Sequence, residues 1–430
     1  MLFLQREMAT NDGGRKIVMT EIGFPWRFEG SELQLLRLLH RKDGWTRSAL
    51  ARRSGLSSAT ISVTVQRLME HGLLRESGAW TEGVGRPAAV LELSSEAWSV
   101  LTYELAPQSI RVGLLTATGQ VLETRHHPFN AESSRLNAGD LVGAMARMGR
   151  QLVDDWSDGH TSQVGGGTRR AGAVIGAAVS VSGVVHSGTL VHSAGLRLRD
   201  VPIAEPLSQE LQLPVWVMND MDARALAEFR YGAGSQRDHM LMVAIEPAGI
   251  GAGLIKKGEP LQGSQGSALE LGHMTVERHG LACPCGKRGC LEVYSSEAAI
   301  VSRAGVLQQR RAGRDAGPAA TACETAQVES LWRLATSDSN IRRVFEDALD
   351  YFGIAVSNLV TLLDPDLVVV GGHLMRLLHP WGMEKLVSDV RSNVFQPGEK
   401  EVRFVPAALG PDAGLAGASF FAVQRLLGHV

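Results

Sequence analysis

Cysteine is scarce in this chain, 4 in 430 residues, aromatics make up only 5%, and no apolar run approaches membrane-spanning length. So few cysteines argue against a disulfide-stapled secreted scaffold, and the missing apolar run argues against a helical membrane span. The opening Met1-Leu2-Phe3-Leu4 is broken at once by Gln5, Arg6 and Glu7, so it does not read as a secretory signal. The expected compartment is the cytoplasm, with no membrane partner. Excess charge of one sign is lacking too: 43 Lys+Arg against 45 Asp+Glu leave a formal net charge of -2. Any affinity for nucleic acid must therefore come from a local patch. What is plentiful is apolar side chain, 44% of a chain long enough for two or three domains. That composition specifies a globular protein with a sizeable core.

The cysteines are not spread evenly. Cys283, Cys285 and Cys290 crowd together after Glu270-Leu271-Gly272-His273, whereas Cys323 stands alone. In a reducing compartment such crowding favours a metal over disulfides. One imidazole and three thiolates, from His273, Cys283, Cys285 and Cys290, make a closed tetrahedral set for structural Zn2+, with no open position for a catalytic water. The competing reading is three buried thiols without a ligand.

Residues 1–30 carry Asn11-Asp12-Gly13-Gly14 and little periodicity, and are expected to form a loosely ordered tail, with Trp26 and Phe28 available to pack on the neighbouring helical unit. Helical periodicity begins after Ser31, read as an N-cap, and runs to Asp43-Gly44. A second helix spans Arg47 to Ser54, and Gly55-Leu56-Ser57 turns into a third from Ser58 to His71. On that helix Ile61, Val65, Leu68 and Met69 share one face, while Ala59, Val63, Gln66 and Arg67 share the other. A hairpin comes next, with Gly78, Gly83 and Gly85 near its tip and Ala88 to Leu93 as the return strand.

Residues 31–96 therefore predict a winged helix-turn-helix for double-stranded operator DNA. Major-groove entry places Ser57, Ser58, Ala59, Thr60, Val63 and Gln66 at or near bases, with Arg52, Arg53 and Arg67 toward phosphates. Gly85-Arg86-Pro87 presents Arg86 on a constrained turn suited to an A·T-rich minor groove. The alternative for this unit is a protein-contact module.

From 97 to 430 the pattern becomes α/β. Strands are expected at Val100–Leu105, Ile110–Thr116, Val121–His126, Ala173–Val181, Val215–Met218, Met240–Ile245, Gly251–Lys256 and Leu367–Val370. Helices are expected at Leu141–Trp156, Ser296–Arg310, Gln327–Ala335 and Ile341–Leu363, with Asp158–Arg170 a surface loop. The two halves read as related lobes.

The spacing of Glu-x-Gly-His, Cys-x-Cys and the later Gly-Cys-Leu-Glu resembles the ROK family of repressors and sugar kinases, over nearly the whole chain from about Ser31, and its repressor branch in particular. The resemblance implies a two-lobed, actin-like or hexokinase-like body with a sugar effector in the cleft, assembled as a homodimer or homotetramer. It assigns sugar contacts to Asn219, Asp220, Glu270, His273 and Glu292, and makes Asp220 the counterpart of the kinases' catalytic base. Kinases of this family open with Asp-x-Gly-Gly-Thr, whose glycines let backbone amides approach nucleotide phosphates. Here the stretch reads Tyr103-Glu104-Leu105-Ala106-Pro107-Gln108-Ser109, both glycines gone and Pro107 without an amide hydrogen. Gly249-Ile250-Gly251-Ala252-Gly253 and Gly371-Gly372 persist, each also accounted for by turns. The expectation is a sugar-gated repressor with a vestigial base, no enzyme activity and no ATP. The runner-up is an ATP-dependent sugar kinase with an added DNA-binding head. The kinases' Pro-Asn-Leu-Gly-Trp loop is replaced by Ala194-Gly195-Leu196-Arg197-Leu198, which leaves the identity of the sugar open, and Arg197 and Arg199 keep a phosphorylated ligand in view.

Overall fold

The computed structural model describes residues 28–428 except 81–87, 108, 129–137, 160, 165–166, 171–172, 236, 312–324 and 396–401. Its first unit has helices α1 (Gly30–Arg41), α2 (Arg47–Ser54) and α3 (Ser58–Glu70), the short β1 (Trp45–Thr46), and a hairpin of β2 (Leu74–Trp80) with β3 (Ala88–Leu93). Each helix start has a local cause. Thr46 caps α2 by accepting the Ala49 amide, and Ser57 caps α3 by accepting that of Thr60. Gly55 ends α2 at φ 73, a left-handed geometry that glycine adopts without steric cost.

The first helix starts earlier than the sequence implied. Its cap is Glu29, not Ser31, because Glu29 and Glu32 form a reciprocal capping box in which the Glu29 amide donates to Glu32 at 2.6 Å. Phe28 is buried edge-on against Trp98, with ring centroids 6.1 Å apart. Trp26 lies outside the described residues.

The body holds two five-stranded sheets. The first is built from β4 (Trp98–Ala106), β5 (Ser109–Thr116), β6 (Val121–Pro128), β9 (Ala173–Val181) and β13 (Val215–Asn219). Helix α4 (Ala138–Gly159) and the hairpin β7 (Thr161–Val164)–β8 (Gly167–Arg170) precede β9, so part of the expected 158–170 loop is paired strand. A small sheet of β10 (Val184–His186), β11 (Thr189–Ser193) and β12 (Leu198–Pro202), then α5 (Ala204–Leu211), come after it.

After α6 (Asp220–Tyr231) comes the second sheet: β14 (His239–Glu246), β15 (Gly249–Lys256), β16 (Glu259–Pro260), β17 (Leu367–Gly371) and β18 (Arg403–Pro406). In each sheet the first three strands form an antiparallel meander and the last two add in parallel beside the first. The repeated topology is the physical form of the two related lobes.

Helices α7 (Glu292–Ser295), α8 (Glu297–Arg311), α9 (Thr325–Leu334), α10 (Ser339–Leu363), α11 (His373–Leu377) and α12 (Trp381–Asn393) complete the second lobe. The last helix, α13 (Ala413–Leu426), returns to pack on α6, β4 and β9. It approaches α6 so closely that a Cβ at Gly417 would lie 1.7 Å from the Ala223 carbonyl oxygen, so only glycine fits there. One apolar core runs from Leu35, Leu36 and Leu39 of α1 through Trp98 to Phe420 and Leu426 of α13. The head is thus packed onto the body rather than tethered to it. No helix among the described residues is long and apolar enough to cross a membrane.

Candidate functional site

Between β16 and α7 the chain folds into a compact knot. Thr275 bridges Cys290, Ala282 bridges Arg288, and Gly286 and Gly289 take φ of 91° and 73° to make the turns. These constraints bring His273, Cys283, Cys285 and Cys290 together, with all four donor atoms within 4.8 Å of one another. Cys285 Sγ lies 3.7 Å from Cys290 Sγ, and Cys283 Sγ lies 3.8 Å from His273 Nδ1. A tetrahedron with Zn–S of about 2.3 Å has edges of roughly 3.8 Å. The donor set and its spacing therefore fit a tetrahedral metal. Lys287 Nζ donates to the His273 carbonyl at 2.8 Å and the Cys283 amide to that of Lys287, which fixes the loop around the cluster.

The knot carries two carboxylates at its ends. Glu270 precedes the short 3-10 turn at Leu271–His273 and comes directly after Leu269, whose φ of 62° is rare for a bulky side chain. Glu292 opens α7 and accepts the Ile250 amide at 3.0 Å. A Cβ at Gly272 would come within 2.5 Å of Glu292 Oε2, so that glycine makes room for the carboxylate. Facing them is the first turn of α6, at the end of β13. Asn219 caps that helix, accepting the Met221 and Asp222 amides at 2.7 and 3.2 Å while its Nδ2 donates to the Gly183 carbonyl at 3.0 Å. Its carbonyl oxygen and one amide hydrogen are committed to the backbone, which leaves one side-chain N–H.

Four carboxyl groups of this cleft influence one another. Burial pushes Asp220 up to about 6, with Arg224 opposing and Glu104 and Glu270 adding to the shift. Asp222, which the sequence pattern does not single out, is buried and pushed up to about 7 by burial and by Asp220, against a hydrogen bond from Gln262. Glu292 rises to about 7 through burial, the Ile250 amide opposing, and Glu270 is raised by burial. Asp222 lies two residues beyond Asp220, a spacing without a helical contact rule, so its place in the cleft depends on tertiary packing.

These shifts have a signed consequence. A carboxyl held above its unfolded value of about 4 keeps its proton in the folded state while the unfolded chain has released it, so stability falls as pH rises from about 4 to about 7. The ligand-free melting temperature is expected to drop between pH 5 and 7.5, and Asp222→Asn to reduce that drop by about 1–3 °C. An equal slope in the variant and the parent would contradict the burial-driven shift.

Beyond Asp220, α6 turns Arg224 toward both lobes. Arg224 donates to Glu104 of β4 at 2.7 Å and lies 3.6 Å from Glu246 at the end of β14. Arg111 of β5 joins Glu104 at 2.8 Å and pairs with Asp412 beside α13, and the His373 amide donates to Glu246 at 3.3 Å. A chain of ion pairs thus spans the ends of the β4–β5 and β14–β15 hairpins. The glycines of the second loop are taken up by packing: a Cβ at Gly251 would meet Met221, one at Gly253 would meet Ala225, and Gly249 adjoins Glu292. Glu228, near the end of α6, is fully buried and accepts the amides of Ala233, Ala408 and Leu409.

In the head, α3 exposes Ser57, Ser58, Ala59, Val63 and Gln66, while Thr60 is half-buried and Arg52 and Arg53 are exposed at the end of α2. Arg67, expected toward phosphates, makes ion pairs within the head. Its guanidinium lies 3.1 Å from Glu29 and 3.3 Å from Glu32, so its charge is already neutralised. Arg86 lies outside the described residues.

At its other end α6 meets this head. Arg230 donates to Asp43 through two nitrogens at 2.8 and 2.7 Å and to the His40 carbonyl at 2.8 Å. His40 stacks on Phe420 with centroids 4.2 Å apart, and Arg37 Nε donates to the Leu427 carbonyl at 2.6 Å.

Residues 28–79 match the MarR family model. The chain is 23% identical over 394 residues to the xylose repressor of Bacillus spizizenii, covering 91% of this chain and 94% of that one. It is 26% identical over 344 residues to a glucokinase of Halalkalibacterium halodurans, covering 77% and 96%. Among solved structures, a ROK family transcriptional regulator, homologue of the Escherichia coli MLC protein, superposes with a TM-score of 0.73 at 23% identity, over 92% of this chain and 95% of that one. The two-lobed body and added head thus recur in a regulator of the same architecture, and since the ROK family model matches residues 161–425, the chain belongs to the ROK family.

Proposed function

We propose that this protein is a sugar-responsive transcriptional repressor: a head at about residues 31–96 that binds operator DNA, and a body from about 97 that binds a sugar and holds a structural zinc. The observation that carries this reading is the course of α6. Its first turn holds Asp220 and Asp222 in the cleft, and its last turn clamps the head through Arg230, roughly 15 Å away at helical rise. A ligand bridging Asp220 and Asp222 on one side and Glu270, His273 and Glu292 on the other would favour one lobe arrangement, and α6 would carry that preference to α1. In a homodimer or homotetramer, a change in head spacing decides whether two half-sites about one helical turn or a multiple apart can be occupied together. Sugar binding is assigned the releasing role.

The body supports sensing over catalysis. Around the two phosphate-loop positions, Glu104, Glu246 and Asp412 outnumber Arg111 and Arg224, so the local charge opposes a triphosphate. Pro107 removes an amide donor from the first turn. Zinc in the knot would orient Glu270 and Glu292 rather than activate water, since all four of its positions belong to the protein.

Calorimetric titration of the purified protein with aldoses, amino sugars and their phosphates, with and without ATP, tests this reading. The expected result is saturable binding of one sugar, unchanged by ATP and weakened at least 100-fold by Asp220→Asn. Formation of a phosphorylated sugar with consumption of ATP would instead establish a kinase.

A further inference from the structure

The exposed face of α3 is unusual for a base-reading helix in what its polar groups are doing. Ser57 and Thr60 hydroxyls lie 2.9 Å apart, with Ser57 also capping the helix. Ser62 donates back to the Ser58 carbonyl at 2.9 Å, and Gln66 Nε2 donates to Glu70 at 3.1 Å. Within α3 the one basic residue, Arg67, is held by Glu29 and Glu32. Bidentate reading of guanine by Arg67 would have to compete with these ion pairs, and glutamine reading of adenine would require breaking a bond already made.

The same face also carries exposed apolar side chains beside the Ser58 hydroxyl. Val63 is 60% exposed, the one large hydrophobic side chain in the head so exposed among the described residues. Ala59, also exposed, lies one turn before it at i−4, so the two form a continuous small apolar strip. Water-exposed valine on a helix surface gains nothing for folding, and β-branching lowers its helix propensity. Arg52 and Arg53 at the end of α2 are exposed beside the start of α3 and supply charge complementary to a phosphate backbone.

We infer that the Ala59–Val63 strip of α3 reads thymine, packing against the C5 methyl groups that thymine presents in the major groove. This deepens the operator-binding reading and rests on it. The thymine methyl is the apolar feature that distinguishes an A·T pair in that groove, and small aliphatic side chains are its partners. Flanking polar groups on α3 then set position rather than identity. Each half-site should carry one or two thymines whose methyl groups, rather than their hydrogen-bonding edges, determine affinity.

Selection of the full-length protein on a random duplex library would supply the sequence, and each thymine of the selected duplex would then be replaced singly by deoxyuridine, which lacks only the methyl. Anisotropy titrations at one fixed salt concentration should show a 3- to 10-fold loss at one or two positions per half-site, about the effect of one buried methyl or methylene group. Val63→Ala should bind the thymine duplex more weakly by a similar factor and be indifferent to deoxyuridine at the same position. Val63→Thr, which keeps a methyl, should retain part of the discrimination. Losses below twofold at every position, or an unchanged deoxyuridine penalty in Val63→Ala, would overturn the inference while leaving operator binding intact. Failure to enrich any sequence would overturn operator binding itself.

Discussion

Replacing Cys290 by serine is expected to lower effector affinity at least 100-fold and to reduce bound metal from one per chain to well below one, while binding to operator DNA persists. The expectation comes from where the knot sits. Glu270 stands three residues before His273, and Glu292 two residues after Cys290, so the cluster spans the loop that carries both carboxylates. The 270–290 segment has little regular secondary structure, one 3-10 turn and two isolated bridges with left-handed Gly286 and Gly289, and is otherwise held by scattered loop hydrogen bonds such as Lys287 to the His273 carbonyl. Closed sites of this kind contribute folding free energy of about 10–16 kcal/mol in isolated zinc-finger peptides, and a bound ion would contribute a smaller share here because flanking elements already hold the ends.

Metal analysis, calorimetry with the sugar identified for the parent protein, and hydrogen exchange across residues 270–292 would read the effect. Exchange should accelerate in that segment and not in α1–α3, since the described contacts of the head run to α6, β4, α13 and Glu259 of β16 rather than to the knot. A variant with full affinity and unchanged exchange would show that the four side chains cluster without holding an ion that matters.

Much of this architecture is legible in the sequence because its signals are local. Gly55 after Ser54, Ser57 before Ser58, and the 3.6-residue spacing of Ile61, Val65 and Leu68 specify the helix-turn-helix by capping and burial alone. The knot is legible because metal chemistry restricts which residues can lie so close together. The small sheet of β10 to β12 and the helices α5, α12 and α13 are not, and the reasons differ. Strands of three to five residues carry too little alternation to declare themselves, and α13, buried on nearly every face, shows no amphipathic stripe. Asp222 escapes notice because neither helical periodicity nor the family pattern singles it out. The ion pairs of Arg67 are not legible from sequence because its partners, Glu29 and Glu32, lie in a segment whose helical start the sequence places two residues late.

Arg230→Ala is expected to separate sensing from response. In the parent protein, saturating sugar should shift operator affinity by about 5- to 150-fold, the ordinary range of allosteric coupling. In the variant the shift should fall below about threefold, with sugar affinity and sugar-free operator affinity each changed less than fivefold. The guanidinium is nearly buried, and its three hydrogen bonds to Asp43 and the His40 carbonyl are the charged link between the end of α6 and the head. Their loss should cost about 1–3 kcal/mol of stability, which thermal melting would register separately from coupling. Asp43→Asn keeps acceptor capacity and should fall between the two. The competing route runs through α13, where Phe420 stacks on His40 and the Leu427 carbonyl accepts from Arg37. If the sugar-induced shift survives Arg230→Ala but is lost in Phe420→Leu, then α13 rather than α6 carries the lobe movement to the DNA-binding helices. If both variants lose it non-additively, the two helices, locked together at Gly417, move as one body.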